Sequence, residues 1–199
     1  LEKTVESVKI CSLNLHIVIV DNGMEPRVES FCRERSVEYL RPPRNIGYGA
    51  GHNLAIRKYQ LIADYHLILN PDVVVQAGCL EELYSLMEKD KGIALSTAKV
   101  LNPDGSLQRV HKRLPTIKIL FGRRFFHKWL YRIWKADFDR YELRDLDLDL
   151  PQEIESVSGC FMFFRSSALQ EIGGFDERYF MYQEDIDLSR MAASTGRLV

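Results

Sequence analysis

Short apolar runs alternate with longer amphipathic stretches along the chain, and their spacing assigns the elements. Val5 and Val8 share one side of a helix predicted over 1–10. His16–Val20 is a solid apolar run, too short for a helix and bounded by Asp-Asn-Gly, so it reads as a buried strand ending at Asp21. A charged stretch at 28–36 predicts a second helix, and Val37–Leu40 a second strand closed by Arg41-Pro42-Pro43. The turn Asn45-Ile46-Gly47-Tyr48-Gly49-Ala50-Gly51 opens a helix over 52–63. Tyr65–Leu69 is a third strand, ended by Asn70-Pro71-Asp72. Gly78–Lys89 is an amphipathic helix whose broad apolar face carries Leu80, Leu83, Tyr84, Leu86 and Met87. Ile93–Leu101 predicts the next strand, with Asn102-Pro103-Asp104-Gly105 as a turn behind it. Ser156–Phe164 is a further strand, Ser166–Ile172 a short helix stopped by Gly173-Gly174, and a last helix runs from Glu184 to Ser194.

Strands alternating with helices predict an α/β sandwich around a mostly parallel sheet, with ligands beyond the carboxyl ends of the strands. Asp21 and Asp72 fall at two such ends, which places acidic groups on that edge.

Composition narrows the picture. With 46% hydrophobic and 28% charged residues the chain is ordinary globular protein, and its 199 residues suit one domain. A formal net charge of -1 gives no whole-molecule field for nucleic acid. No apolar run approaches the roughly 18 residues of a membrane span. Cys11, Cys32, Cys79 and Cys160 are scattered and form no C-x-x-C pair, so reduced core thiols and a cytoplasmic setting are expected. The five histidines form no metal-ligand pair, and there is no G-x-S-x-G.

Three clusters could carry chemistry. Asn70-Pro71-Asp72 offers a carboxylate to a hard divalent cation shared with a diphosphate, although the tripeptide is also an ordinary turn. Glu184-Asp185, with Asp187, stands at a helix start, where the dipole favours acids and where a general base could equally be held. The glycines at 47, 49 and 51 form G-x-G-x-G, which is neither the dinucleotide fingerprint nor a P-loop; it permits close backbone approach to an anion or a tight turn.

One segment differs from the rest. Between Arg109 and Lys135 there are nine Lys/Arg and no Asp/Glu, interleaved with Phe121, Phe125, Phe126, Trp129, Tyr131 and Trp134. From Asp137 to Glu153 seven acids face only Arg140 and Arg144. Either 109–135 contacts an anionic membrane surface, or it is a lid whose aromatics pack on the core and whose charges pair with the acidic run. No nucleic-acid motif accompanies it.

Taken in order, the blocks Ile17–Asn22, Asn45–Asn53, Leu67–Asp72, Val157–Met162, Gly173–Glu177 and Tyr182–Leu188 resemble family 2 glycosyltransferases, and most of all their rhamnosyltransferase-like branch. The resemblance spans residues 1–196, broken over 109–153. It implies a GT-A fold and inverting transfer from a nucleotide-diphospho-sugar donor, such as dTDP-rhamnose, to a saccharide or lipid-linked acceptor in cell-surface polysaccharide or glycolipid synthesis. Asp21 matches the aspartate on the nucleotide base, with Asn22 beside it. Asp72 matches the last aspartate of a D-x-D metal motif for Mn²⁺ or Mg²⁺, and Asn70 replaces the first, leaving one charge fewer. Asn45, Gly47 and Asn53 match the donor loop, Gly159 and Cys160 the acceptor side, Asp185 the catalytic base and Glu184 its neighbour.

By the same resemblance residues 1–199 are a single domain lacking its first strand and its C-terminal end, with 109–153 a variable insertion or lid. That span is expected to be poorly active alone, and to work at the inner face of the cytoplasmic membrane. Two rival readings remain at this point: a sugar nucleotidyltransferase, and a non-catalytic nucleotide-sugar-binding module.

Overall fold

The computed structural model describes residues 1–59, 61–124 and 134–199. In chain order the first elements are α1 (Glu2–Lys9), β1 (Val18–Val20), α2 (Pro26–Arg35), β2 (Glu38–Leu40), α3 (Tyr48–Tyr59), β3 (Tyr65–Leu69) and α4 (Cys79–Lys89). They are followed by β4 (Ile93–Ser96), β5 (Val100–Leu101), β6 (Leu107–Gln108), α5 (Ile117–Arg124), α6 (Lys135–Tyr141), β7 (Phe161–Arg165), α7 (Ser166–Ile172), α8 (Glu184–Ala192) and β8 (Arg197–Leu198).

The sheets are mixed. β1 and β2 pair in parallel, β7 lies between β3 and β4 and runs antiparallel to both, and β8 is parallel to β4. β5 and β6 form a small hairpin around Gly105, whose φ of 82° suits a residue without a side chain.

β7 shows why the chain folds in layers. Its residues alternate between faces with period two. Met162 and Phe164 enter one cluster with Ile56, Leu169 and Leu188 from α3, α7 and α8. Phe161 and Phe163 enter the opposite cluster with Val8 of α1 and Leu80, Leu83 and Met87 of α4. Val5 of α1 and Cys32 of α2 extend the second layer under β1. Both faces are therefore covered, and β7 reads as a continuous apolar run because neither face meets water. Its last residue, Arg165, caps α4: the guanidinium donates to the carbonyls of Met87 (2.6 Å) and Ile93 (3.2 Å).

Several boundaries differ from expectation. Ile93–Leu101 is two strands, because Thr97 leaves β4 and gives its hydroxyl to the Phe161 carbonyl (2.8 Å). The strand expected over Ser156–Phe164 begins only at Phe161, since the amides ahead of it bond to side chains instead of a neighbouring strand. The helix expected from 52 starts at Tyr48, inside the glycine cluster. Gly49 and Gly51 are tolerated there because side chains press on them: a Cβ would stand 2.8 Å from the Phe175 side chain and 2.7 Å from that of Asn22.

Around the charged segment, Ile119, Phe138 and Tyr141 form a small separate cluster with Trp134. Arg113 pairs with Asp145 (2.7 Å), one contact of the kind a lid reading requires. Phe125, Phe126, Trp129 and Tyr131 lie outside the described residues. No helix among the described residues is long and apolar enough to cross a membrane.

Phe164 is completely buried between β3 and β4. Its replacement by alanine is expected to cost about 3–5 kcal/mol, read as a lower midpoint in urea denaturation with little change in slope.

Candidate active site

Two of the acids singled out in the sequence stand beyond the carboxyl ends of strands, Asp21 after β1 and Asp72 after β3. Asp21 follows β1 and is buried; its Oδ2 accepts the Tyr39 hydroxyl (2.9 Å) and its N–H donates to the Leu40 carbonyl. Asn22 reaches forward into the glycine turn, donating from Nδ2 to the Gly47 carbonyl (2.6 Å) and accepting the Ile46 N–H at Oδ1 (3.3 Å). Asn45 closes that turn by accepting the Gly47 N–H (3.0 Å). Gly47 holds φ 92°, and a Cβ there would stand 2.5 Å from the Phe180 carbonyl oxygen, so only glycine fits.

Tyr48, which the sequence did not single out, joins the two halves of the site. Its hydroxyl donates to the Gly159 carbonyl (2.6 Å) and lies 3.1 Å from Asn70 Oδ1. Burial, reinforced by Cys160, Asp185, Glu184 and Asp72, pushes this hydroxyl well above the usual tyrosine range, so it remains a neutral donor. The available signal was position: Tyr48 is the one large side chain within G-x-G-x-G at a helix start. The Asn70 N–H donates to the Cys160 carbonyl (3.0 Å), tying the end of β3 to the start of β7.

Asp185 stands in the first turn of α8 with each carboxylate oxygen engaged by one amide. Oδ2 accepts the Gly159 N–H (3.1 Å) and Oδ1 the Ile186 N–H (2.9 Å), which leaves lone pairs on both. A Cβ on Gly159 would lie 3.2 Å from the Tyr48 hydroxyl and 3.4 Å from the Asp185 Cβ. The turn that delivers α8 holds two successive left-handed residues, Tyr182 (φ 72°) and Gln183 (φ 71°). Such backbone costs on the order of 1–3 kcal/mol per residue and collects at functional sites. Beside Asp185, Glu184 is buried, and its Oε2 has no hydrogen-bond partner among the described residues. Burial, with help from Asp185, raises its carboxyl above the ordinary value.

Burial first, then Asp185 and Asp72, keep the Cys160 thiol protonated. Asp72 itself is exposed. Among the described residues no three His, Cys, Asp or Glu side chains are gathered as a protein-built cation cage requires. Asp72, with the Asn70 side-chain oxygen two residues before it, offers oxygen donors only, which suits a hard cation that takes the rest of its coordination from a diphosphate.

Asn53 requires a correction. Its amide donates to the Phe175 carbonyl (2.8 Å) and to Glu177 (3.0 Å), and accepts the Phe175 N–H (2.9 Å), with Asn53 itself and both bonds to Phe175 buried. A side chain so fully engaged clamps the 174–177 turn onto α3 and presents nothing to a donor. His16 lies ahead of β1 and meets Glu38 (2.8 Å), while His66 sits within β3. The four cysteines are free thiols; Cys32 is buried and Cys11, Cys79 and Cys160 are half-buried.

A layered α/β core with this acid-lined edge is the GT-A fold. The chain belongs to glycosyl transferase family 2, whose model matches residues 1–173. An N-acetylglucosaminyl-diphospho-decaprenol L-rhamnosyltransferase of Mycobacterium tuberculosis is 28% identical over 195 residues. That match covers 92% of this chain, and the chain spans only 62% of the relative's length. The rhamnosyltransferase WbbL of Escherichia coli is 24% identical, with 98% of this chain and 73% of that protein covered. Among solved structures, a mannosyltransferase from Pyrobaculum calidifontis in complex with GDP-Man and Mn²⁺ superposes with a TM-score of 0.65 at 14% identity, over 100% of this chain and 49% of its own.

Tyr48→Phe is expected to lose about 1–3 kcal/mol by leaving the Gly159 carbonyl unsatisfied, measured by chemical denaturation. The histidines set an acid limit. Burial pushes His52, His66 and His111 down to about 4 from an ordinary 6.5. Folded protein then binds fewer protons than unfolded, so stability is complete above pH 6.5 and falls as the pH drops toward 4. Glu38, held at about 2 by Lys58 and Tyr59, adds a second loss below 4.5. A melting-temperature series is expected to decline already between pH 6.5 and 5.

Proposed function

We propose that this chain is the inverting glycosyltransferase domain of its protein, moving a sugar from a nucleotide-diphospho-sugar to an acceptor hydroxyl. The observation that carries the reading is Asp185: a carboxylate oriented by two amides at a helix start, one of them from Gly159, whose carbonyl the Tyr48 hydroxyl joins to Asn70, two residues before Asp72. Asp185 takes the proton from the acceptor hydroxyl, whose oxygen attacks the anomeric carbon from the face opposite the nucleotide. The bond to the diphosphate breaks, its electron pair leaves with the diphosphate, and the configuration inverts. Mn²⁺ or Mg²⁺ held at Asp72, with Asn70 beside it, would neutralise charge on that leaving group. Asp21 takes the nucleotide base through the oxygen that Tyr39 leaves free. Gly47 and Asn45 shape the donor loop, Gly159 and Cys160 line the acceptor side, and Glu184 orients the acceptor beside Asp185.

The names of the relatives support rhamnose as the sugar and a diphospho-polyprenol-linked saccharide as the acceptor. Such an acceptor lies at a membrane. The basic stretch 109–135 makes a peripheral contact there, helped by Ile117 and Leu120, both exposed on α5. The inner face of the cytoplasmic membrane is the corresponding location. Within this reading residues 1–199 act as one domain with 109–153 as its variable insertion.

A panel of nucleotide sugars with Mn²⁺ or Mg²⁺, read by nucleotide release, tests the proposal. Asp185→Asn is expected to lose on the order of 10²–10⁴-fold in kcat, and chelation of the metal to suppress release. Undiminished release from Asp185→Asn would overturn the role of Asp185; donor binding without release by either form would mark a binding module. Flotation with anionic and with neutral liposomes tests the membrane contact, and equal recovery with both would remove it.

A further inference from the structure

His111 lies between β6 and α5, outside every block that resembles the family, yet its ring reaches the backbone that holds Asp185. Nδ1 accepts the Ser158 N–H (3.1 Å). Nε2 faces the Ala98 carbonyl (3.1 Å) and Thr97 Oγ1 (3.2 Å). The Thr97 proton is already given to the Phe161 carbonyl (2.8 Å), so its oxygen offers the ring a lone pair. A nitrogen that accepts an N–H carries no proton, and the two acceptors at Nε2 require one. Only the neutral Nε2–H tautomer satisfies all three groups around the ring. The ring is therefore a spacer of fixed polarity between the end of β4 and the 157–160 loop.

That loop is paired with other backbone only at its ends, where Ser156 bridges Lys112 and the Cys160 carbonyl accepts the Asn70 N–H. Val157 N–H donates to Ser189 Oγ (3.0 Å), Ser158 N–H to His111, and Gly159 N–H to Asp185 Oδ2. Gly159 carries no side chain that could fix its own peptide, so its orientation is inherited from neighbours on either side. His111 holds one neighbour, and the Tyr48 hydroxyl holds the Gly159 carbonyl.

We infer that His111 is a positioning residue for the transfer reaction: by accepting the Ser158 N–H at Nδ1 it aims the Gly159 N–H at Asp185 and so sets the direction of the base. The inference rests on Asp185 being the base. Burial keeps the ring neutral well below its usual range, consistent with this task.

The test exploits the asymmetry of the ring. Asparagine places an amide oxygen where Nδ1 stands, whereas glutamine places its amide nitrogen near Nε2. His111→Gln is expected to lower kcat by about 10–100-fold with the donor KM little changed, because a base displaced by a fraction of an ångström loses rate and not donor affinity. His111→Asn is expected to recover most of that loss at a similar melting temperature. Nucleotide release would be measured with the nucleotide sugar that the parent protein uses best, alongside Asp185→Asn. Equal kcat for the two His111 variants, or an effect confined to donor KM, would overturn the inference while Asp185→Asn remained inactive. An active Asp185→Asn would instead remove the base assignment, and this inference with it. Nitrogen-15 spectra of the parent protein give a readout independent of variant folding: a proton on Nδ1 contradicts the proposal, and one on Nε2 is expected.

Discussion

The site is organised by one hydrogen bond, the Gly159 N–H to the Asp185 carboxylate. It crosses between the approach to β7 and the first turn of α8, segments that share no strand pairing. Around it the backbone from Val157 to Phe161 is held almost wholly by groups from elsewhere. Ser189, His111 and Asp185 take three successive amides, while Tyr48, Asn70 and Thr97 donate to three successive carbonyls. Irregular backbone beside a core must satisfy its polar groups, and here it does so by recruiting α3, α8, the end of β3 and the segment around β4 and β6. The elements of the fold meet at that loop.

Apolar burial supplies the rigidity that makes such bonds useful. β7 is packed on both faces, so the residue at which the loop becomes strand is not free to slide. Phe175 presses on Gly49, and Asn53 grips the backbone of Phe175, which fixes where α3 begins and therefore where Tyr48 points. The positive φ values at Tyr182 and Gln183 are then tolerable, because Phe180 is held by its bond to the Tyr48 N–H (3.0 Å). Strain, packing and the acidic pair at 184–185 belong to one arrangement.

Much of this was legible in order along the chain. Runs such as Tyr65–Leu69 and the face of Leu80, Leu83 and Met87 follow from period and length alone, and they fell where expected. The turn ends at Gly105 and Gly173 follow from the conformational freedom of glycine. The start of α3 was misplaced because Gly49 and Gly51 are poor helix formers, and only the approach of Phe175 and Asn22 explains them. The apolar run 156–164 looked like one strand because apolar content does not reveal where an amide finds its partner. Tyr48 and His111 were missed for the same reason: their partners lie 111 and 47 residues away in sequence.

The sequence by itself determined the alternation of elements, the layered core and the acidic residues at the strand ends, because these depend on hydrophobic period and on turn chemistry, which are local. Tertiary structure alone decided which polar groups serve the site and which serve the scaffold. Asn53 and Asn70 are indistinguishable as residue types, yet one is buried in a clamp on Phe175 and the other stands beside Tyr48. A side chain's role follows from which donors and acceptors surround it, and that neighbourhood exists only once distant segments have packed.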